Sequence, residues 1–334
     1  MVTVHDVARH AGVSIATVSR ALNDRERISS ATRDRVLEIA RSLGYQPNDL
    51  ARSLAGMATQ TIALLLPDIT NPFFPELVKG VQTIADERGH LLLLCHNADD
   101  GAKARADIAM LRRKKVDGIL LVAGTLKGRG IAGATSDLPT VVLDRRVPGL
   151  RSDVVTVDHR AGARKAVEHL LELGHRRIAH ITGPPGISSS KERQAGWEEA
   201  LRATGIEPDK ELVVQGDFLE DGGYAGGRAL IQRKVDFTAA FAANDMSAIG
   251  LLKALTEEGR QVPNDVSVVG FDGIHLAAYT APALTTVAQP IFDLGRRAAE
   301  LLLDRLAAAE PDKEPHTVVL ETKLVVRGST SQRR

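Results

Sequence analysis

The chain has 334 residues, 43% hydrophobic and 25% charged, with a formal net charge of +1; this balance excludes a disordered or collagen-like chain, and the length calls for two or three folding units. No apolar run reaches the roughly 18 residues of a membrane span, and MVTVHDVARH has polar groups where a secretory leader needs apolar ones, so a cytosolic (cytoplasmic) protein with no membrane partner is expected. Cys95 is the single cysteine, which excludes an intramolecular disulfide and fits a reducing compartment.

The charge is unevenly spread. Residues 1–56 carry eight arginines against six acids, a net +2, and the remainder carries −1; a basic head on a neutral body permits a nucleic-acid partner without requiring one. Thr3 is a good helix cap, and Val4, Val7, Ala8 and Ala11 follow at helical spacing up to Gly12. A second short helix, Ile15 to Leu22, puts Val18 and Leu22 on one face and leaves Ile15, Ala16, Thr17, Ser19 and Arg20 largely free. A third starts from a Ser29 cap, turns Val36, Ile39, Ala40 and Leu43 inward and stops at Gly44. Two short helices around a Gly-Val turn read as a helix-turn-helix in an N-terminal all-α domain over residues 1–46. Periodicity alone would equally suit any small helical domain.

The residues VTVHDVARHAGVSIATVSRAL, followed by GYQPNDLARSLAG, resemble the LacI family of bacterial repressors almost position by position. The resemblance implies a DNA-binding transcription repressor that reads a pseudo-palindromic double-stranded operator. A recognition helix in the major groove needs short side chains near its start and one long donor for a guanine edge, roles that Ile15, Ala16 and Arg20 fit. By the resemblance these three read bases, Thr3, Thr17 and Ser19 hold phosphates, and Asn23 and Arg27 support docking. Residues 47–58 form a hinge helix and linker opened by Pro47 and Asn48. The stretch Asp49 to Ala55 makes barely two turns, too short to be helical alone. In the family the leucine matching Leu54 wedges into the minor groove at the operator centre, and such wedges kink DNA.

From Thr61 onward short apolar runs alternate with helical stretches: TIALLLPD, HLLLLCH, DGILLVAG, TVVLD, VVTVD, RIAHITG, ELVVQG, AAFAAND and VSVVGFD. Continuous apolar strands separated by helices indicate parallel α/β sheets covered on both faces, and nine or more strands suggest two sheets. The region resembles the type I periplasmic-binding-protein fold. That implies an α/β two-lobed effector-binding and dimerisation domain over residues 59–330, with crossovers near Asp158, Gln289 and Thr322. The ligand cleft is expected between the lobes, at the carboxyl ends of the strands.

Polar and aromatic groups stand at those strand ends: Asn71, Phe73 and Phe74 after the first strand, Asp144 and Arg145 after the fourth, Arg193 in a helix of the second lobe, Phe218 after VVQGD, Asn244, Asp272, and Gln289. Each matches, in order, a pocket position of the sugar-binding members of the fold, and the set resembles that of ribose-binding proteins. A sugar offers apolar C–H faces and a ring of hydroxyls, so its site needs stacking aromatics together with planar donors and carboxylate acceptors. D-ribose or a close aldose is the expected effector, lowering DNA affinity when bound. Purine-binding relatives use the same strand ends and respond in the opposite sense; a purine would need an aromatic or amine partner where Arg145 stands. A sugar phosphate is left open by the basic loop GTLKGRG, although that loop lacks the phosphate-cradling pattern. The bland alternative is that Asp144 and Asp272 cap helices or pair with neighbouring arginines and that the phenylalanines are core.

No catalytic constellation emerges. Ser188 and Lys191 have S-x-x-K spacing without the companion elements of acyl-transfer enzymes; His175 and His180 lack a third metal ligand; LEDGGYAGG is not a dinucleotide fingerprint. Neither enzyme activity, a cofactor nor a metal is expected. The competing class is a small-molecule-binding or hydrolytic α/β protein whose helices serve as a docking module. A two-fold operator needs two recognition helices, so a homodimer is expected, and GSTSQRR after Arg327 is too short for a tetramerising coiled coil. Trp197, one turn beyond Arg193, is expected in the core.

Overall fold

The computed structural model describes residues 2–22, 28–45, 58–97, 100–122, 128–145, 147, 149–308 and 314–333. Asn23, Arg27 and Leu54, and all of the expected hinge but residue 58, lie outside the described residues. The chain separates into two units, Met1–Thr59 and Gln60–Arg334.

In the first unit, α1 (Val4–Ala11) begins at a reciprocal cap. The Thr3 hydroxyl accepts from the Asp6 amide at 3.4 Å while the Thr3 amide donates to the Asp6 carboxylate at 2.9 Å, which satisfies two amides a helix start leaves unpaired. Gly12 ends α1 with φ 64°, a left-handed turn that costs glycine nothing. Ser14 then opens α2 (Ile15–Leu22), its Oγ accepting from the Thr17 amide at 3.1 Å. Ser29 does the same for α3 (Ser30–Ser42) through the Thr32 amide at 3.3 Å. The core is Val7, Ala8, Ala11, Val18, Ala21, Val36 and Ala40. Ala21 rather than Leu22 takes the central place on α2, and Leu22 packs at the margin. Four of those seven core side chains are methyls, so the helices approach too closely for a leucine between them.

The second unit holds two six-stranded sheets, β11-β5-β4-β3-β1-β2 and β12-β10-β9-β8-β6-β7. The strands are β1 (Thr61–Leu66), β2 (Leu91–His96), β3 (Gly118–Val122), β4 (Thr140–Leu143), β5 (Asp153–Val157), β6 (Ile178–Thr182), β7 (Val213–Gln215), β8 (Ala239–Ala242), β9 (Ser267–Asp272), β10 (Thr285–Ala288), β11 (Thr317–Leu320) and β12 (Lys323–Val325). All pairings are parallel except β10 with β12. Around them lie α4 (Phe73–Glu87), α5 (Gly101–Arg113), α6 (Gly128–Ala134), α7 (His159–Glu172), α8 (Ser188–Ala203), α9 (Glu220–Gln232), α10 (Asp245–Glu257) and α11 (Ile291–Ala307). The chain leaves the first sheet after β5 at Asp158. It returns after β10 through Gln289 and Pro290, because α11 packs on β3, β4 and β5, and it crosses again between β11 and β12 at Glu321 and Thr322. Three linking segments thus run side by side between the lobes.

The all-apolar run of β2 is not covered on both faces. It is an edge strand, and Leu91 and Leu94 are 62% and 52% exposed. The glycines of LEDGGYAGG have a packing reason: a Cβ at Gly223 would lie 2.1 Å from the Ser247 carbonyl oxygen, so α9 and α10 meet backbone to backbone. The tail also packs, with Ser329 donating to the Val268 carbonyl at 2.6 Å and the Arg333 amide donating to that of Leu173 at 2.9 Å. Among the described residues no helix is long and apolar enough to cross a membrane.

Candidate DNA-reading helix and ligand cavity

On α2 the buried Val18 and Ala21 set the outward face. Ile15 is 42% exposed, Ala16, Ser19 and Arg20 are exposed, and Thr17 is half-buried beside the Ser14 cap. The helix therefore presents a small apolar patch, Ile15 and Ala16, at its amino end and one long cation, Arg20, in its last turn. Thr3 is exposed, and its hydroxyl donates to Asp6 at 2.7 Å within the α1 cap.

Nine of the ten expected pocket residues line one cavity with an empty volume of ≈ 260 Å³: Asn71, Phe73, Phe74, Asp144, Arg145, Arg193, Phe218, Asn244 and Asp272, joined by Ser189. All sit near strand ends or in the first two turns of helices, where the sheets stop and side chains face across the cleft. Phe73 and Phe74 form an edge-to-face pair with centroids 5.2 Å apart at the start of α4, placed by the Asn71 side chain, which accepts from the Phe73 amide at 3.0 Å. Phe218 lies within cation–π reach of two guanidiniums, Arg145 at 5.4 Å and Arg193 at 5.6 Å. Gln289 stands behind rather than in the cavity. Its Nε2 donates to Asp272 at 2.8 Å, and its Oε1 is buried without a hydrogen-bond partner.

Arg193 is the hub. It is 3% exposed, stacked 3.8 Å over Phe271, 3.2 Å from the Asp272 carboxylate, and donates to the Ala243 carbonyl at 2.5 Å. Burial lowers its pKa, and Asp272 and Asp144 counter that. Burial likewise raises Asp272 to about 6 even though Arg193 pulls it down. The guanidinium also faces His159 Nδ1 at 3.3 Å. A guanidinium only donates, so Nδ1 accepts and the ring proton sits on Nε2, which donates to the Asp144 carbonyl at 2.9 Å. Burial holds His159 down at about 4, which fixes this neutral form near pH 7. Asp144 keeps one carboxylate oxygen buried and without a hydrogen bond, 3.4 Å from the His159 ring. A buried acceptor of that kind is costly unless a ligand supplies a donor.

Asn244 is engaged at both ends: its Oδ1 caps α10 at the Ser247 amide, 2.9 Å, and its Nδ2 donates to the Phe218 carbonyl at 2.8 Å. A larger hollow of ≈ 1170 Å³ lies at the opposite, amino end of the first sheet, along Thr135 to Thr140 and Leu150 to Asp153. Its charged groups are already paired, Asp153 with Arg305, Asp137 with Arg112 and Arg151 with Glu314. The smaller cavity, with its unmatched acceptor, is the better ligand site.

Sequence reasoning missed Ser189, His159, Phe271 and Asp245. Ser189 lies four residues before Arg193 on the same helix face, a spacing that could have flagged it. Phe271 directly precedes Asp272 and reads as strand core. Trp197 is in the core, stacked on His180 at 5.6 Å. His175 bonds to Thr238, Ser267 and the Ser331 carbonyl in holding the tail.

A helix-turn-helix unit joined to a two-sheet binding-protein body defines a DNA-binding transcriptional regulator with a small-molecule sensor, not an enzyme. The family described as bacterial regulatory proteins, lacI family, matches residues 3–48, and the periplasmic binding protein-like domain matches residues 167–330. The ribose operon repressor of Halalkalibacterium halodurans is 39% identical over 330 residues, covering 99% of this chain and 97% of that protein. The lac repressor dimer bound to operator and the anti-inducer ONPF superposes with a TM-score of 0.84 at 29% identity over 99% of each chain. A LacI-family regulator from Enterococcus faecium with bound ribose gives a TM-score of 0.74 at 34% identity, covering 82% of this chain and all of that one. The chain belongs to the lacI family of transcriptional regulators.

Proposed function

We propose that the chain is a ribose-responsive repressor that binds a pseudo-palindromic operator as a homodimer and releases it when the sugar closes the two lobes. The observation that carries this reading is the cavity, lined by an aromatic pair, a third ring, two guanidiniums and two carboxylates, with one carboxylate oxygen lacking a donor. The ribose operon repressor named above and the ribose-bound relative support the pentose over other sugars. Exposed Ile15, Ala16, Ser19 and Arg20 support base and phosphate reading by α2, with Leu54 as the wedge in the hinge. Exposed Leu91, Leu94 and Tyr279 are apolar surface suited to burial against a second subunit. The test is titration calorimetry of the full chain with pentoses, hexoses and purines, paired with gel shift of the operator. Ribose should release heat and weaken operator binding. A purine or hexose that does so in its place would overturn the ribose assignment, and absence of any specific duplex binding would overturn the repressor reading.

A further inference from the structure

Three cavity residues have a left-handed backbone although each carries a Cβ: Asp144 at φ 62°, Phe218 at 69° and Asp272 at 110°. Such conformations persist only where the surroundings hold them. Asp144 is held through its carbonyl, which accepts from Thr156 Oγ1 and His159 Nε2, both at 2.9 Å. Phe218 is held by Asn244 Nδ2 at 2.8 Å. Asp272 deviates most and has a dedicated anchor outside the cavity lining. The amides of Gly273 and Ile274 donate to Asp245 Oδ2 at 2.8 and 2.9 Å, and Thr286 Oγ1 donates to Asp245 Oδ1 at 2.5 Å.

Asp245 is fully buried in the first turn of α10. Its three bonds tie the turn that follows Asp272, and the neighbouring strand β10, to that helix. No room is spare: a Cβ on Gly270 would lie 2.3 Å from Asp245 Oδ1. We propose that Asp245 is a positioning residue for the effector cavity, fixing the strained turn that aims the Asp272 carboxylate at Arg193 and at the ligand hydroxyls. The proposal rests on reading the cavity as the effector site. Burial also raises the Asp245 carboxyl to about 8, and in the protonated form its Oδ1–H donates to Thr286 Oγ1 while Oδ2 still accepts from both amides. An asparagine can do the same: its oxygen accepts from both amides and its amide donates to the Thr286 hydroxyl.

The experiment compares wild type, Asp245→Asn, Asp245→Ala and Thr286→Val in the full chain by ribose calorimetry and by amide exchange at Gly273 and Ile274 without sugar. Asp245→Asn should stay within about threefold of wild type in affinity and exchange. Asp245→Ala should lose at least about tenfold in affinity, the worth of one or two hydrogen bonds, with Thr286→Val in between. Both should speed exchange at the two amides, and sugar-free operator affinity should hold in all. Wild-type affinity in Asp245→Ala, or an Asp245→Asn as weak as Asp245→Ala, overturns the proposal. If Asp245→Ala does not fold, Thr286→Val decides, and unaltered affinity and exchange in it overturn the proposal. A wild type that ignores ribose overturns the functional reading instead, and the exchange rates then still decide whether Asp245 holds the turn.

Discussion

On the DNA-reading unit the side chains offered to a partner stand apart from those that hold the fold. Ile15, Ala16, Ser19 and Arg20 face outward while Val18 and Ala21 close the core. In the cavity the two sets coincide: Asp144, Arg145, Arg193 and Asp272 are each at most 8% exposed and form two ion pairs, Arg145 with Asp144 and Arg193 with Asp272. A buried charge is tolerated only when paired, so each of these residues is structural and ligand-facing at once. The reader can therefore change its preferred sequence one residue at a time without loss of fold. A change of sugar preference in the cavity disturbs the stability of the body.

The sharpest test of that contrast is Arg193→Ala. It removes the ion pair to Asp272 and the donor to His159, so the body should lose about 3–5 kcal/mol in urea denaturation, the usual cost of leaving a buried partner unpaired. Ribose affinity should fall as well. A variant that loses ribose yet unfolds like wild type would show that recognition and stability are separable here too.

A smaller effect comes from pH. Asp245 is raised by burial and by the Asp272 charge to about 8 from 3.8, so its contribution to stability is present at low pH and lost as pH rises toward 8. His159 and His180 are lowered by burial to about 4 from 6.5, so theirs is present above pH 6.5 and lost as pH falls toward 4. The two trends oppose each other below pH 6.5. Above it Asp245 acts nearly alone, because Asp272 titrates near 6. Stability should fall by about 1.4 kcal/mol per pH unit between pH 6.5 and 8. The decline should vanish in Asp245→Asn, and a flat wild-type curve would mean that the three hydrogen bonds keep Asp245 ionised.

The same contrast explains what could be read in advance. The reader's pattern is local: the Thr3 and Ser29 caps, Gly12 and the apolar spacing are separated by a few residues, and all of them hold in the structure. Even there, the place of Ala21 depends on how closely three helices meet. For the body, nine apolar runs matched β1 to β9 and pointed to two sheets, but β10, β11 and β12 were not among those runs, and edge exposure of β2 depends on strand order, which no single run contains. Polar and aromatic residues at strand ends, matched through the family resemblance, include nine that line this cavity. His159 and Asp245 stayed hidden because their roles are defined by backbone groups of distant residues, the Asp144 carbonyl and the Gly273 and Ile274 amides. Asn244 and Asp245 are adjacent in the chain, yet only the backbone turn separates a cavity-lining side chain from one buried behind it.

On the reader the effects should be confined to DNA. Arg20→Ala should cost roughly 1–3 kcal/mol of operator binding and relax one guanine per half-site, with ribose affinity and denaturation of the body unchanged. Equal loss on operator and random duplex would reduce Arg20 to a phosphate contact.

The smallest effect separates two roles proposed for one hydroxyl. Thr3 caps α1, and the family resemblance also gives it a phosphate. The same oxygen accepts from the Asp6 amide and donates to the Asp6 carboxylate, so a phosphate must displace Asp6 as its acceptor. If capping is the whole role, Thr3→Ala should destabilise the reading unit by about 1 kcal/mol, and DNA affinity should fall only as far as the folded fraction does. If a phosphate is held as well, operator and random duplex should both weaken further at temperatures where the unit is fully folded, since phosphate contacts carry little sequence information. Thr3→Ser keeps the hydroxyl and should behave as wild type in both measurements. A Thr3→Ala chain that matches wild type in thermal melting and in gel shift on both duplexes would remove Thr3 from either role, and with it a place where the reader uses a single side chain for fold and for recognition.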